Sequence, residues 1–363
     1  RSYALNRKYR ISARLITSCL AACAAGAQAQ SSVTLYGIAD AGLRYSNGLD
    51  AAYAGSAGSS TMLNSGVDST SRLGYRGVED LGGGLKAVFN LESGLNFDSG
   101  TTSNASKFFD RASTVGLGTG WGTVTLGRQT TVLADALNPI DPLGVRFASL
   151  NPNVGVAALS SPKLGIEYGP SGSSSGSYRL DNSIKYTGKF NDFSVRAMHA
   201  LGEQSGNASK LSSTGFGLAY ETAALSASLA YAHLKTATEL SLKGYVGGVS
   251  AKAGVAKLSL SYGSHTADTS ATAKTTNKTL GLGATVPLSP TLDLIVAHYQ
   301  VNRSRTGNVD DGYKRSIAFL EYKLSKRTLV YLEADSTGWK NNYAGSSSKG
   351  TGSGLSAGMK HSF

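Results

Sequence analysis

The chain has 363 residues, of which 45 are Gly, 18 Tyr and only 7 Pro, and it carries a formal net charge of +12. Beyond residue 25 no apolar run approaches the roughly 20 residues that a spanning helix needs, which excludes a helical membrane protein. The Lys and Arg residues are scattered singly rather than gathered with aromatics, which speaks against a nucleic-acid partner, and the fixed short repeat of a β-helix or propeller is missing.

At the amino-terminus Arg7, Lys8, Arg10 and Arg14 precede an apolar run from Leu15 to Ala25, and Ala27-Gln28-Ala29 offers small residues for cleavage. Residues 1–29 therefore read as a secretory signal peptide, with Leu20-Ala21-Ala22-Cys23 as a competing, lipoprotein-type cleavage site. Without residues 1–29, which hold five basic and no acidic side chains, the net charge falls from +12 to +7. Both cysteines, Cys19 and Cys23, lie in the signal, so the mature chain has no thiol chemistry.

From residue 30 onward the pattern is alternation. Val33, Leu35, Ala39, Ala41, Leu43 and Tyr45 alternate with Thr34, Asp40 and Arg44; Leu85, Ala87, Phe89 and Leu91 alternate with Lys86, Asn90 and Glu92. Further on, Ile184 and Tyr186 face away from Ser183 and Lys185, and Val195 and Ala197 face away from Ser194 and Arg196. Leu225, Leu229 and Tyr231 then set one side of a segment whose other side is Ser226 and Ser228. Leu355, Ala357, Met359, His361 and Phe363 close the chain against Ser356, Gly358, Lys360 and Ser362. A barrel wall must present an apolar side chain to lipid at every second position while satisfying all its backbone groups around a closed ring. Residues 30–363 thus read as one all-β domain, a transmembrane antiparallel β-barrel, with Asp40, Arg44, Lys86, Glu92 and Lys185 as lumen charges.

Short turns are expected at Gly82-Gly83-Gly84, Gly118-Thr119-Gly120, Ser289-Pro290 and Ser325-Lys326. Long polar loops are expected near 46–67, 98–106, 170–177, 203–213, 267–277, 303–312 and 340–350. That asymmetry is the one expected between the two ends of an outer-membrane barrel. Counting hairpins gives about 16 strands, in the range that leaves an aqueous channel, although 290–302 and 328–339 alternate poorly. The 130–160 stretch stands apart: it carries Asn138-Pro139, Asp141-Pro142 and Asn151-Pro152 with apolar residues between them.

Ser32-Val33-Thr34-Leu35-Tyr36-Gly37 and the block from Ser71-Arg72-Leu73-Gly74 through Glu79-Asp80-Leu81-Gly82-Gly83-Gly84 resemble the general porins of Gram-negative bacteria, especially the betaproteobacterial branch. The resemblance continues through Gly122-Thr123-Val124-Thr125-Leu126-Gly127-Arg128-Gln129, Asp181-Asn182-Ser183-Ile184-Lys185-Tyr186, Leu324-Ser325-Lys326-Arg327-Thr328 and Gly358-Met359-Lys360-His361-Ser362-Phe363. It implies a homotrimer of barrels in outer-membrane lipid, each a passive pore for small ions and hydrophilic solutes, working without cofactor or energy input. It also implies that the third outer loop, here 130–160, folds inward.

On the matching positions the resemblance places Arg72, Arg111 and Arg179 at a basic side of the pore constriction, with Arg76 sharing the face of Arg72, and makes Asp135 and Asp141 the loop acids. The usual loop tip is absent, and Pro142-Leu143-Gly144-Val145-Arg146 occupies that region. Arg128 has the outward parity of Val124 and Leu126, a place that can serve subunit contact in such porins. Phe363 resembles the carboxy-terminal signal read by the barrel-insertion machinery. Because rings of Arg or Lys favour anions in pores, three arginines against two acids lead to the expectation of a weak to moderate anion preference.

Other readings are a solute-specific porin, which would need aromatic and ionic rows in the lumen, and a surface adhesin or antigen built on the outer loops. Catalysis finds no support in the pattern, since His199, His233, His265, His298 and His361 fall in no nucleophile or acid motif. They are also too dispersed to suggest a metal site.

Overall fold

The computed structural model describes residues 31–146, 151–152, 160–161, 166–167, 178–345 and 348–363. The expected signal peptide, residues 1–29, lies outside the described residues, as do parts of the 130–160 loop. In chain order the first strands are β1 (Ser32–Leu49), β2 (Gly55–Ser65), β3 (Arg72–Gly82), β4 (Leu85–Asn96), β5 (Thr101–Thr102), β6 (Ala112–Thr119) and β7 (Gly122–Thr130). A helix, α1 (Val132–Leu137), follows, then the two-residue strands β8 (Ser160–Ser161) and β9 (Ile166–Glu167). The rest of the wall is β10 (Arg179–Phe190), β11 (Phe193–Ala200), β12 (Ser213–Glu221), β13 (Leu225–Lys235), β14 (Ser241–Ala253) and β15 (Ala256–Asp268). It ends with β16 (Lys274–Ser289), β17 (Leu292–Arg305), β18 (Asp311–Lys323), β19 (Thr328–Lys340) and β20 (Thr351–Ser362).

Sixteen of these strands, β1, β3, β4, β6, β7 and β10 through β20, pair antiparallel with their neighbours into a closed ring. Closure is made by β1 on β20, from Ile38 opposite Ser362 to Asn47 opposite Ser353. Beyond Ser362 the ladder continues by one residue, since the Phe363 and Gly37 backbones exchange N–H···O bonds of 3.1 Å in both directions. Gly37 is needed there: a Cβ would run into the Phe363 ring and the Arg72 carbonyl.

Alternation becomes two different surfaces. On β1 and β20 the outward Leu43 and Leu355 are each 58% exposed, whereas Arg44 and Ser356, one residue along, are 1% exposed. The expected Gly82-Gly83-Gly84 turn is built from three consecutive left-handed residues, with φ of 84, 60 and 82°, which only glycine adopts freely.

Two departures from the sequence reading have physical causes. The stretch 46–67, expected as a loop, carries β2, which folds back on the far half of β1 from Ala41 opposite Ser65 to Leu49 opposite Gly55. Its Gly/Ser/Thr-rich composition shows no apolar period. The segments that alternate poorly, in β17 and β19, are regular strands whose inner face is partly apolar. Ile295, Ala297 and Tyr299 of β17, Ile317 and Phe319 of β18 and Tyr331 of β19 are buried with Tyr53 and Val67 of the first loop and Leu143 of the third. Where these loops cover them, the strands carry apolar side chains on both faces, whereas further along β19 the inner face is Glu333, Asp335 and Thr337.

Candidate functional site

The third loop is laid along the inner wall by small residues in the wall itself. α1 begins at Thr131, whose hydroxyl accepts a 3.2 Å bond from the Ala134 N–H, the expected device at a helix N-terminus. Its buried Val132, Leu133, Ala134, Ala136 and Leu137 pack on Ala230 and Ala232 of β13 and Val246 of β14. Val132 sits where a Cβ on Gly215 would be. Ser228 donates to the Ala136 carbonyl, and Ser250 donates to the Pro139 carbonyl at 2.8 Å.

Beyond α1, Ile140 lies over Gly248 and Pro142 over Gly283. The Tyr299 hydroxyl then donates to Asp141 at 2.7 Å. Arg146 reaches Glu321 of β18 at 2.9 Å and Asp68 of the first loop at 3.4 Å, and its carbonyl accepts from the Thr70 N–H at 3.0 Å. The loop thus crosses the lumen from β7 to β18 and fills that side.

Beside the loop, against β3, β4 and β10, lies a cavity of about 540 Å³ lined by Arg72, Glu92, Arg111, Tyr178, Arg179 and Lys185 among others. The structure therefore brings together three of the four arginines singled out from the sequence, from β3, from the segment before β6 and from β10. Arg179 Nε donates to the Arg111 carbonyl at 2.8 Å, and its guanidinium lies 4.3 Å from the Tyr178 ring centroid. Arg111 Nε bonds Glu92 Oε1 at 2.6 Å. Arg72 Nε donates to the Thr70 carbonyl at 2.8 Å and makes no ion pair among the described residues. Arg76 stands lower on the same face, its guanidinium 5.0 Å from the Tyr36 ring, and the Tyr36 hydroxyl bonds Asn90 at 2.8 Å and Glu92 at 3.0 Å.

The acids are fewer and already engaged. Asp135 is bonded to Lys185 at 2.9 Å and lies 3.9 Å from Arg196 of β11. Asp141 is buried, accepting from Tyr299, the Leu143 N–H at 3.0 Å and Asn151 at 2.9 Å, so its charge is directed at the loop's own anchor. Of the expected lumen charges, Glu92 and Lys185 belong to the cavity and Lys86 is exposed near the short-turn end.

Asp40 and Arg44 are fully internal and do not pair with each other. Asp40 accepts from the Tyr331 hydroxyl at 2.7 Å and the Asp68 and Ser69 N–H groups at 3.0 and 2.6 Å. Arg44 is paired with Glu333 at 2.9 Å and Asp335 at 2.7 Å and stacks 4.1 Å from the Tyr53 ring. These groups fasten the first loop to the wall. Arg128, on the face of Ser113 and Val115, is covered rather than bare: it pairs with Asp181 at 2.6 Å, Lys107 pairs with the same carboxylate, and Arg128 Nε donates to the Asp110 carbonyl.

Arg196, Tyr36 and Tyr178 were not among the candidates read from the sequence. Arg196 carried a signal, its inward parity in β11; Tyr178 carried none, because it precedes β10 and its neighbours are set by the fold. Burial alone would raise the Tyr178 phenol, but the Arg179 and Arg111 guanidiniums beside it pull it down to about 8. A phenolate there would place a negative charge among the three guanidiniums. Anion preference is therefore expected to weaken as the pH rises through about 8, read as a shift of the zero-current potential in a salt gradient. The Y178F variant should show no such titration; an identical titration in Y178F would remove Tyr178 from the selective group.

Comparison with known proteins agrees with this architecture. The sequence profile of the Gram-negative porins matches residues 17–342. Outer membrane porin protein 32 of Delftia acidovorans is 34% identical over 96% of this chain and 99% of that protein. An outer membrane porin protein of Bordetella pertussis is 33% identical over 60% of this chain, and this match spans 55% of that protein. Among solved structures, the anion-selective porin from Comamonas acidovorans superposes with a TM-score of 0.74 at 30% identity, covering 92% of this chain and 100% of the other.

Proposed function

Since this chain belongs to the Gram-negative porins, barrels of the outer membrane, we propose that its lumen is a general diffusion channel for ions and small hydrophilic solutes that favours anions. The observation that carries the anion preference is the convergence of Arg72, Arg111 and Arg179 on one open cavity, with Glu92 and Asp135 as the opposing acids and both of these already paired. In a slot with an effective dielectric of about 20, a unit charge 4 Å from a permeating ion is worth ~4 kcal/mol before salt screening, so an unbalanced guanidinium cluster biases which ion enters. The Comamonas protein, described as anion-selective, supports the same sign.

The working unit in this reading is a homotrimer, exported by way of residues 1–29 as a cleaved signal peptide. Single-channel recording of residues 30–363 in a planar bilayer under a KCl gradient tests it. Ohmic openings in groups of three with reversal on the chloride side are expected; reversal on the potassium side would overturn the anion preference, and a folded barrel without conductance would overturn the channel.

Phe363 in this reading serves assembly. Deleting it removes the paired backbone bonds to Gly37 and the ring that covers that glycine, while leaving the constriction untouched. Membrane levels of heat-modifiable barrel should fall severalfold, with unit conductance preserved in the channels that do insert. Normal levels of the deletion variant would show that the closing pair is dispensable.

A further inference from the structure

The outer face of β17–β19 differs from the rest of the lipid-facing wall. In register across these strands, Gln300, Lys314 and Gly338 form one outward row and Asn302, Gly312 and Lys340 the next. All but Gly312 line a cavity of about 480 Å³ near the long-loop end, the end that faces outward in barrels of this kind. Lys314 and Lys340 are exposed and make no ion pair among the described residues. Gly338 leaves bare backbone between them, with open space where a Cβ would stand. Trp339, whose buried indole N–H has no acceptor among the described residues, also borders the cavity.

Directly beneath, one outward position further along each strand, begins a second hollow of about 610 Å³. It begins with a polar row of His298, Ser316 and Ser336, with His298 and Ser316 hydrogen-bonded at 2.9 Å, and continues over Ala318 and Ala334, with Leu282 and Val296 as its apolar side. The two hollows run in line, basic at the rim and apolar toward the middle of the wall.

We propose that this groove holds a phosphorylated, acylated lipid of the outer leaflet, its phosphate between Lys314 and Lys340 and one acyl chain along the trough over Ala318 and Ala334. Three features fit this occupant together. Small side chains, Ala318, Ala334, Ser316 and Ser336, leave a hollow of about 610 Å³ in a wall that elsewhere carries large apolar side chains. The two ammonium groups stand where a headgroup would lie, and basic side chains at a membrane surface attract anionic lipid. A second copy of this chain fits less well, because it is itself net basic and would have to bring an unpaired acid to these lysines.

The test uses the full mature barrel in neutral detergent, with diphosphoryl lipid A as the probe and native mass spectrometry to count bound lipid. Phosphatidylcholine and the deacylated lipid A backbone serve as comparisons. The wild type should retain lipid A in preference to phosphatidylcholine, and the K314Q/K340Q variant should bind it about tenfold more weakly with unchanged channel conductance. A318L/A334L, which fills the trough, should weaken lipid A binding but leave the deacylated backbone unaffected.

Undiminished lipid A binding in K314Q/K340Q would overturn the headgroup site, and undiminished binding in A318L/A334L would overturn the acyl trough. If Ser336→Cys forms an efficient intermolecular disulfide in membranes, the face is a contact between copies and the lipid assignment fails.

Discussion

Arg111→Gln should shift the zero-current potential in a KCl gradient further toward the potassium side than Arg72→Gln does, although each removes one positive charge. Among the described residues Arg72 makes no ion pair and is held through its Nε on the Thr70 carbonyl, so its loss subtracts a charge without breaking a pair. Arg111 also neutralises Glu92 at 2.6 Å. Removing it changes the net charge by one, as R72Q does, but it also frees from its ion pair a carboxylate whose other side-chain bond is to the Tyr36 hydroxyl at 3.0 Å, so an entering ion meets that acid directly. At an effective dielectric of about 20, with salt screening taking most of the ~4 kcal/mol available at 4 Å, a fall of roughly threefold in the chloride-to-potassium permeability ratio is expected for R72Q and about tenfold for R111Q.

The double variant E92Q/R111Q removes one charge of each sign and should recover toward the wild type, because the uncovered acid is gone. If R111Q and R72Q were equal, Glu92 would lie outside the ion path. If neither moved the potential, the cavity lined by these groups would not be the selective part of the pore.

The wall was legible in the sequence because a barrel strand obeys one local rule; 39–45 and 355–363 keep it throughout, and 85–92 breaks it only at Val88. The rule weakened where a strand has apolar neighbours on both faces. Ile295, Ala297 and Tyr299 are inward-facing and apolar only because Tyr53, Val67 and Leu143 cover them, and no period within β17 announces a loop from a distant part of the chain.

The basic side of the site was readable from the resemblance, supported at Arg72 and Arg76 by inward parity; at Arg179 the register shift between Leu180 and Ser183 breaks the parity. The fate of each acid was not readable, because it depends on partners remote in sequence. Asp141 meets Tyr299, 158 positions on, and Asp40 meets Tyr331, 291 positions on. Arg44 likewise looked like any lumen charge until Glu333 and Asp335 were brought beside it. Glycines and alanines at inward positions, Gly215, Ala230, Ala232, Gly248 and Gly283, were the available sign that something lies on the inner wall from β12 to β16.

That sign leads to the second large effect. α1 has six residues, far fewer than the 12 to 15 or so at which an isolated helix becomes even marginal in water, so its position rests on packing. Leu133 and Leu137 are both wholly buried against the wall, and truncating either to Ala costs about 2–5 kcal/mol in a site of that kind. In L133A/L137A the sum exceeds what the Thr131 cap and the Ser228 and Ser250 bonds to loop carbonyls can supply, at about 1 kcal/mol each.

The loop should then leave the wall while the barrel stays closed, because none of the sixteen wall pairings involves these residues. Unit conductance should rise, open-channel noise should increase, and heat-modifiable migration should remain that of the wild type. Asp135 sits within α1, so its release from Lys185 and Arg196 also bares two cations on the wall, and the wider pore should keep or strengthen its chloride preference. Wild-type conductance in L133A/L137A would mean that Tyr299, Arg146 and the first loop hold the constriction without the helix. A wider pore with cation preference would mean that Asp135, rather than the arginines, governs the charge an entering ion meets.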